Sequence, residues 1–495
     1  MMMRAYRLSL DLMTAAVLSA ALTGCMVGPD YKGPPQAAPL ASQGGAFQRA
    51  MIAPVDGAPP PAQWWLALGD PQLTRLINDA LADNPNLKAA QARVRNARAM
   101  LQEQRAGLLP QGGGSLAYIH AAIPKSADAL LGGGAGGSSS GSGGVDLYSA
   151  AFDASWELDV FGGTRRGVQA SRASAQAQQA SFEDTQVELA SEVAQAYVNL
   201  RDAQRRLILD TMVADLEDRM LQLTRTRRAG GTASEADVER LATQLSQTQA
   251  DLAPLKASAE QALDQLAVLT GREPGALDAD LAAPSDLPLP PPQVAIGDPA
   301  GLIRRRPDIR QAERLLAADT AAIGQKAASY FPSVNLFGTI GYSGADTAKL
   351  LSGDNLIQLG APYLSWNVFN FPKINAQVKQ AKATRDAAVF SYEQTVLTAL
   401  QDAEDSLSRF ARQRENAVQL AKARDSAARA AQLTQARYRD GTATLIDLLD
   451  TERQRLQTEQ SLSQSQALLT NDYIALQKSL GLGWQGEPAP EGRGG

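Results

Sequence analysis

The chain of 495 residues has one cysteine and one histidine, only 5% aromatic residues, and no run of eighteen apolar residues after position 25. Each shortage excludes something. A lone cysteine rules out an intrachain disulfide framework, and together with a lone histidine it rules out His/Cys zinc sites and catalytic histidine dyads. Without a long apolar run no helix can span a bilayer. A net charge of −5 without long basic runs leaves no footprint for nucleic acid. What remains is carboxylate chemistry or work that is not catalytic. Hydrophobic content of 44% excludes wholesale disorder. Long stretches rich in Ala, Gln and Leu favour extended helices packed through small side chains.

The N-terminus carries the first positive signal. Arg4 and Arg7 form a basic region, Leu12 to Ala21 an apolar one, and Leu22-Thr23-Gly24-Cys25 closes it. That is the plan of a secretory signal peptide over 1–24, although Asp11 sits oddly at its edge. The ending resembles the lipobox of bacterial lipoproteins, with Cys25 as the first mature residue carrying an N-acyl and S-diacylglycerol lipid. A chance cysteine near an ordinary cleavage site would look the same; the absence of any other cysteine argues against it. Met26 stands where inner-membrane retention would show Asp, which favours the outer membrane as the address. Removing Arg4, Arg7 and Asp11 with the signal leaves a mature charge of −6.

The sequence then repeats itself. W-E-L-D-V-F at 156–161 returns as W-N-V-F-N-F at 366–371, an offset of 210. Gly231-Thr232-Ala233-Ser234 meets Gly441-Thr442-Ala443-Thr444 at the same offset, and Asp237 meets Asp447. Upstream the offset is 222, as in Pro85 with Pro307 and Pro110 with Pro332. Twelve extra residues therefore lie between Pro110 and Trp156 in the first half. The tract GGGAGGSSSGSGG (132–144) falls inside that window, so it is an insertion in one repeat rather than a linker between domains.

The expected organisation is an N-terminal segment 25–70, a first repeat 71–271, a Pro-rich connector 272–297, a second repeat 298–481 and a tail 482–495. Each repeat opens with a helix interrupted by proline, at Asn84-Pro85 and Arg306-Pro307. Short alternating strands follow, as hairpins at about 112–160 and 333–370. Tyr148, Ala150, Phe152, Ala154 and Trp156 alternate with Ser149, Asp153 and Ser155; Val334, Leu336, Ile340 and Tyr342 share a face. Such alternation fits a lipid-facing barrel strand and a half-buried soluble hairpin equally well. Helical hairpins at 164–270 and 372–480 complete the repeats. In the first, Val238, Leu241, Leu245, Leu252, Leu255, Ala262 and Leu266 form a coiled-coil seam in which Pro254 should make a kink. Four strands per chain cannot close a barrel, and an open sheet edge cannot persist in lipid, so membrane strands would require oligomerisation.

Across nearly the whole mature chain the sequence resembles the TolC-type outer membrane efflux channels, in the lipoprotein branch that serves resistance-nodulation-division pumps. The resemblance is carried by L-T-G-C-M-V-G-P-D-Y (22–31), G-D-P-Q-L (69–73), W-E-L-D-V-F-G (156–162), R-R-P-D-I-R-Q-A-E (305–313) and A-S-Y-F-P-S-V-N-L-F-G (327–337). It implies a mainly α fold with a transmembrane β-barrel part: two tandem repeats, and a homotrimer whose twelve-stranded barrel, four strands per chain, continues into a periplasmic α-helical barrel. It also implies an exit duct without cofactor, working with a periplasmic membrane-fusion adaptor and an inner-membrane pump. Gly231, Thr232 and Ser234, with Gly441, Thr442 and Thr444, resemble the tips that meet the adaptor. Ile446 is similar to the family's apolar constriction, Asp450 to its acidic ring, and Tyr438 and Arg439 to a polar latch. A solvated helix face is the plainer reading of Asp450. The aligned residue of the first repeat is Arg240, so an acid ring would come from one repeat only.

Other residues suggest structure rather than chemistry. His120 reads as a barrel-wall residue, Asp237 and Asp447 as helix-dipole or tip-contact residues, and Arg304 to Arg306 as structural pairing rather than an anion site. Two other classes compete: a type I secretion exit duct on the same fold, and a soluble periplasmic coiled-coil adaptor. An enzyme is disfavoured, since no nucleophile–base pair or metal set is visible.

Overall fold

A computed structural model describes residues 26–42, 45–52, 55–121 and 145–484. The signal peptide, Cys25, the tract 132–144 and the end of the tail lie outside the described residues. Among the described residues, eight helices of seven or more residues organise the chain: α1 (Pro71–Asp83), α2 (Pro85–Ala106), α3 (Gly163–Ala229), α4 (Glu235–Leu269), α5 (Pro299–Arg305), α6 (Pro307–Ala328), α7 (Phe371–Arg439) and α8 (Leu445–Ser479). Prolines at 85 and 307 open new helices after Asn84 and Arg306, whose extended backbones end the preceding ones. The longest helices, α3 and α7, have 67 and 69 residues, and α4 and α8 have 35 each.

By contact the chain divides into two compact units, one from the described parts of 1–34, 95–176 and 314–389, the other from 35–94, 177–313 and 390–484. The first holds a four-stranded antiparallel sheet in the order β1 (Gln111–Ala121), β2 (Val145–Leu158), β3 (Ser333–Gly344), β4 (Leu356–Ser365). Register pairs Ala121 with Val145, Trp156 with Leu336 and Phe152 with Ile340. The two alternating patterns seen in the sequence therefore share one face, because directly opposed residues point the same way. Ser149, Asp153, Ser155, Asn335 and Thr339 share the other. β1 and β2 are paired through to Ala121 and Val145, the described residues on either side of the gap. His120 lies on β1 with its Nδ1 2.8 Å from Asp146 Oδ1, beside the stacked rings of Tyr118 and Tyr148.

The same unit explains why Val27-Gly28-Pro29-Asp30 reads as a motif. Gly28 has φ +96° and touches Gly324 so closely that a Cβ would stand 2.3 Å from its Cα. Arg166, which is buried, donates to the carbonyls of Val27 and Gly28 and pairs with Asp30 at 2.8 Å.

The second unit contains the main core, in which Trp64, Leu73, Leu76, Ile77, Tyr197, Leu266, Phe410 and Ile474 are all buried. Each such side chain contributes about 1.5–3 kcal/mol by leaving water. The Asp70 carboxylate caps α1 through the N–H groups of Gln72 and Leu73, and it accepts from Tyr197 Oη at 2.7 Å. Burial, opposed by Arg201, pushes the Tyr197 hydroxyl up to about 12. Arg201 itself is buried and donates to the carbonyls of Leu281 and Ala283, fixing the connector to α3. Arg306 is spent on Asp308 and the carbonyl of Ser479, and Arg305 on that of Leu480.

Helix α4 buries Val238, Leu241, Leu245, Leu255, Ala262 and Leu266 along the expected seam. Pro254 lies inside α4 without ending it. The hydrogen bond it deletes falls on the exposed side of the helix, where water replaces the donor. Among the described residues no helix is long and apolar enough to cross a membrane.

Candidate functional site at the two helical turns

Where α3 gives way to α4, the helix ends in a glycine of left-handed backbone, Gly231 at φ +77°. Its N–H donates to the carbonyl of Arg228 and that of Thr232 to Arg227, both at 2.8 Å. These bonds satisfy carbonyls that the helix end would otherwise leave open. The Thr232 hydroxyl adds a second bond to Arg227. Two residues later Ser234 starts α4: its hydroxyl accepts from the Asp237 N–H at 3.2 Å and donates to the Asp237 carboxylate at 2.7 Å. The Ser234 N–H donates to the same carboxylate, completing a capping box.

The turn from α7 to α8 repeats this arrangement at every step. Gly441 has φ +74°, its N–H reaches Tyr438, and Thr442 closes on Arg437 through both N–H and hydroxyl. Thr444 and Asp447 form the second capping box, with hydroxyl to carboxylate at 2.7 Å. The hydroxyl and N–H of the capping residue hold the Asp237 and Asp447 carboxyls below the usual carboxylate range. The two acids are thus parts of the turns, occupied by their own chain.

The surroundings of the turns differ. Arg228 pairs with Glu235 across the first. Across the second, Arg437 donates to the Thr442 carbonyl at 3.2 Å. Asp450, exposed on α8, pairs with Arg453 at 2.7 Å, whereas its counterpart Arg240 pairs with Asp237 at 3.6 Å. The sequence reading missed Arg453; the spacing Asp450-x-x-Arg453 on a helix was the available signal. Tyr438 and Arg439 are exposed, and among the described residues neither side chain has a hydrogen bond or ion pair. Ile446 is half-buried against the cluster of Ala214, Met220, Leu221, Val238, Leu241, Leu245 and Leu449. The chain brings Asp450 to Arg453, and not to the expected latch residues.

Far along α3 from the turns a second charged place lies in the same unit. A cavity of about 400 Å³ is lined by Asp184, Glu188, Arg306, Asp308, Asp402 and Lys478, among others. Burial, reinforced by Asp308 and Glu188, pushes the Asp184 carboxyl up to about 6. Among the described residues no group of three or more His, Cys, Asp or Glu side chains is arranged to hold a metal ion.

The pattern of the family described as outer membrane efflux protein matches residues 76–272 and 300–482. The chain belongs to this family. As an outer membrane efflux protein it is 30% identical to the antibiotic efflux pump outer membrane protein ArpC of Pseudomonas putida, over 96% of each chain. It is 31% identical to the pyoverdine export outer membrane protein OpmQ of Pseudomonas aeruginosa, over 86% of this chain and 88% of that one. Among solved structures, the outer-membrane channel OprN superposes with a TM-score of 0.82 at 34% identity, covering 93% of this efflux protein and all of OprN.

Proposed function

We propose that this efflux protein is the outer-membrane exit duct of a tripartite system, passing small toxic compounds from a periplasmic adaptor and an inner-membrane resistance-nodulation-division pump to the outside. The observation that carries the reading is the sheet. One of its faces is apolar along β2 and β3, the outer edges of β1 and β4 are unpaired among the described residues, and its chain continues into helices of more than sixty residues. An unpaired edge is untenable in lipid. Three copies would close twelve strands and place the helices around a common axis as a periplasmic barrel. Cys25 carries the lipid anchor in this reading. No step requires a cofactor, and the duct is passive.

The two turns serve as the adaptor-facing tips, through Gly231, Thr232, Ser234, Gly441, Thr442 and Thr444. Tyr438, Arg439, Ile446 and Asp450 form the gate. Three Asp450 carboxylates near a narrow axis repel one another and attract cations. Arg453 offsets that repulsion within each copy, while Tyr438 and Arg439, unengaged in their own chain, are free to reach a neighbouring one. Ile446 ties the gate to the seam between α3, α4 and α8. Purified protein should migrate as a heat-modifiable oligomer and conduct ions in planar bilayers, and its deletion should sensitise the host to antibiotics or solvents. A monomer that never conducts, even as Asp450→Ala, would refute the duct.

A further inference from the structure

Alternation along the sheet is not uniform. On β2 and β3 the face carrying Ser149, Asp153, Ser155, Glu157, Asn335 and Thr339 is mostly polar, with Phe337 as the large exception, and the opposite face carries Phe152, Trp156, Leu336 and Ile340. Strand β4 breaks the pattern. Its register places Ile357 opposite Gly341 and Leu359 opposite Thr339, on the polar face. At the far edge of the sheet Ile119 of β1 stands opposite Leu147 of β2, again on the polar face. All four aliphatic side chains are open to their surroundings, between 39% and 54% exposed.

All four lie toward the loop-side ends of their own strands, although the register sets Ile357 and Leu359 four and six residues along from the Ile119–Leu147 row. Leu356, the first residue of β4, lies in line with Tyr342, Ala150 and Leu116, while β1 runs on to Ala121. The loop-side ends of the strands therefore step progressively across the sheet, as strands tilted against a barrel axis must. Measured from those stepped ends, Ile119, Leu147, Ile357 and Leu359 all fall within the last few residues of their strands. Asp153, Glu157 and Asn335 lie toward the helix-side ends. The polar face thus changes character along its length, with carboxylates, an amide and the rings of Phe337 and Tyr363 toward the helices and branched aliphatics near the loops.

We infer that Ile119, Leu147, Ile357 and Leu359 form an apolar collar around the inside of the outer mouth, which slows hydrated ions and charged solutes and passes apolar cargo. The inference rests on the barrel reading above, because the polar face is the lumen only if the sheet closes. Its physics is that of an apolar constriction: water and ions lose hydrogen-bonding partners there, whereas an apolar solute loses none. Repetition in three copies would set twelve aliphatic side chains around the mouth. The collar favours uncharged, lipophilic compounds as the cargo that leaves most readily.

The test uses thiol labelling of intact cells carrying Asn335→Cys, on the polar face below the collar, with Leu336→Cys on the opposite face as comparison. The parent chain, whose single cysteine is Cys25, provides the blank. An uncharged aryl maleimide and a sulfonated maleimide are each normalised to their rates with free cysteine. With the collar intact, the uncharged reagent should label Asn335→Cys about tenfold faster than the sulfonated one. Adding Ile357→Ser and Leu359→Ser should bring the ratio close to one, and the single change Ile119→Ser should lower it partway if the double variant assembles poorly. Equal normalised rates with the collar intact, or a ratio unmoved by its removal, would overturn the collar. If sulfonated reagent labels Leu336→Cys as fast as Asn335→Cys, the two faces are equally wet and the barrel reading itself fails.

Discussion

The turn between α3 and α4 and the turn between α7 and α8 are the same object built twice. Left-handed Gly231 and Gly441, closing Thr232 and Thr442, and the capping pairs Ser234–Asp237 and Thr444–Asp447 superimpose in role, bond by bond. The likeness does not extend to the flanking side chains: Arg228 and Glu235 correspond to Tyr438 and Leu445, and nine residues after each glycine Asp450 stands where the first half has Arg240. What the two turns share makes the backbone reverse. What they do not share is charge beside the turn, which is where a difference in function has to reside.

That division can be broken experimentally, beginning with the largest effect. Asp450→Ala should raise single-channel conductance severalfold, because it removes the carboxylate to which Arg439 of a neighbouring copy would latch in the proposed gate, while Arg240→Ala should leave conductance near the parent value. Gly441→Val and Gly231→Val should each cost about 1–2 kcal/mol, since a β-branched residue is forced into left-handed backbone. Thermal melts followed by helical circular dichroism would show it, and unequal losses would mean that the turns are less alike than their hydrogen bonds suggest. Thr444→Ala and Ser234→Ala should be milder, about 1 kcal/mol each, through loss of the N-cap.

The smallest effects are those of pH. For the capping acids the folded pKa is depressed, so their contribution is present above the ordinary carboxylate range and lost as pH falls through the folded value. Asp184 has the opposite sign. Its folded value of about 6 lies above the ordinary carboxylate value of 3.8, so the folded state binds the proton more tightly. Stability should decline as pH rises from about 4 to about 6, with the full cost present above that window. Asp184→Asn should flatten this limb in melts run across it, leaving the acid-side loss from the capping pairs in place. A limb unchanged by the substitution would assign the titration to another group.

The turns were legible because glycine, hydroxyl and carboxylate recur at fixed spacing, and each of those residue types has one job at a helix end. The helices α3 and α4 were legible from seam periodicity, and Pro254 was tolerated because its lost bond faces water. Long-range side-chain bonds were not legible. Nothing local in the sequence says that Glu404 receives the N–H groups of Gln48 and Arg49, or that Arg166 grips Val27 and Gly28. The surroundings of the proposed gate were only half legible: the sequence does not say that Arg453 is the partner of Asp450, which is a rotamer decision made among neighbouring charges. The collar was hidden for another reason. A strand apolar on both faces, such as β4, gives no alternation to read until register assigns each residue a side.

The central claim is that the second turn, and not the first, brings acids from separate copies together. Asp450→Cys and Arg240→Cys, each treated in membranes with a short bismaleimide, test it without reference to transport. The account expects cross-linked dimers and trimers from Asp450→Cys and predominantly monomer from Arg240→Cys. Cross-linking through Arg240→Cys with none through Asp450→Cys would contradict it.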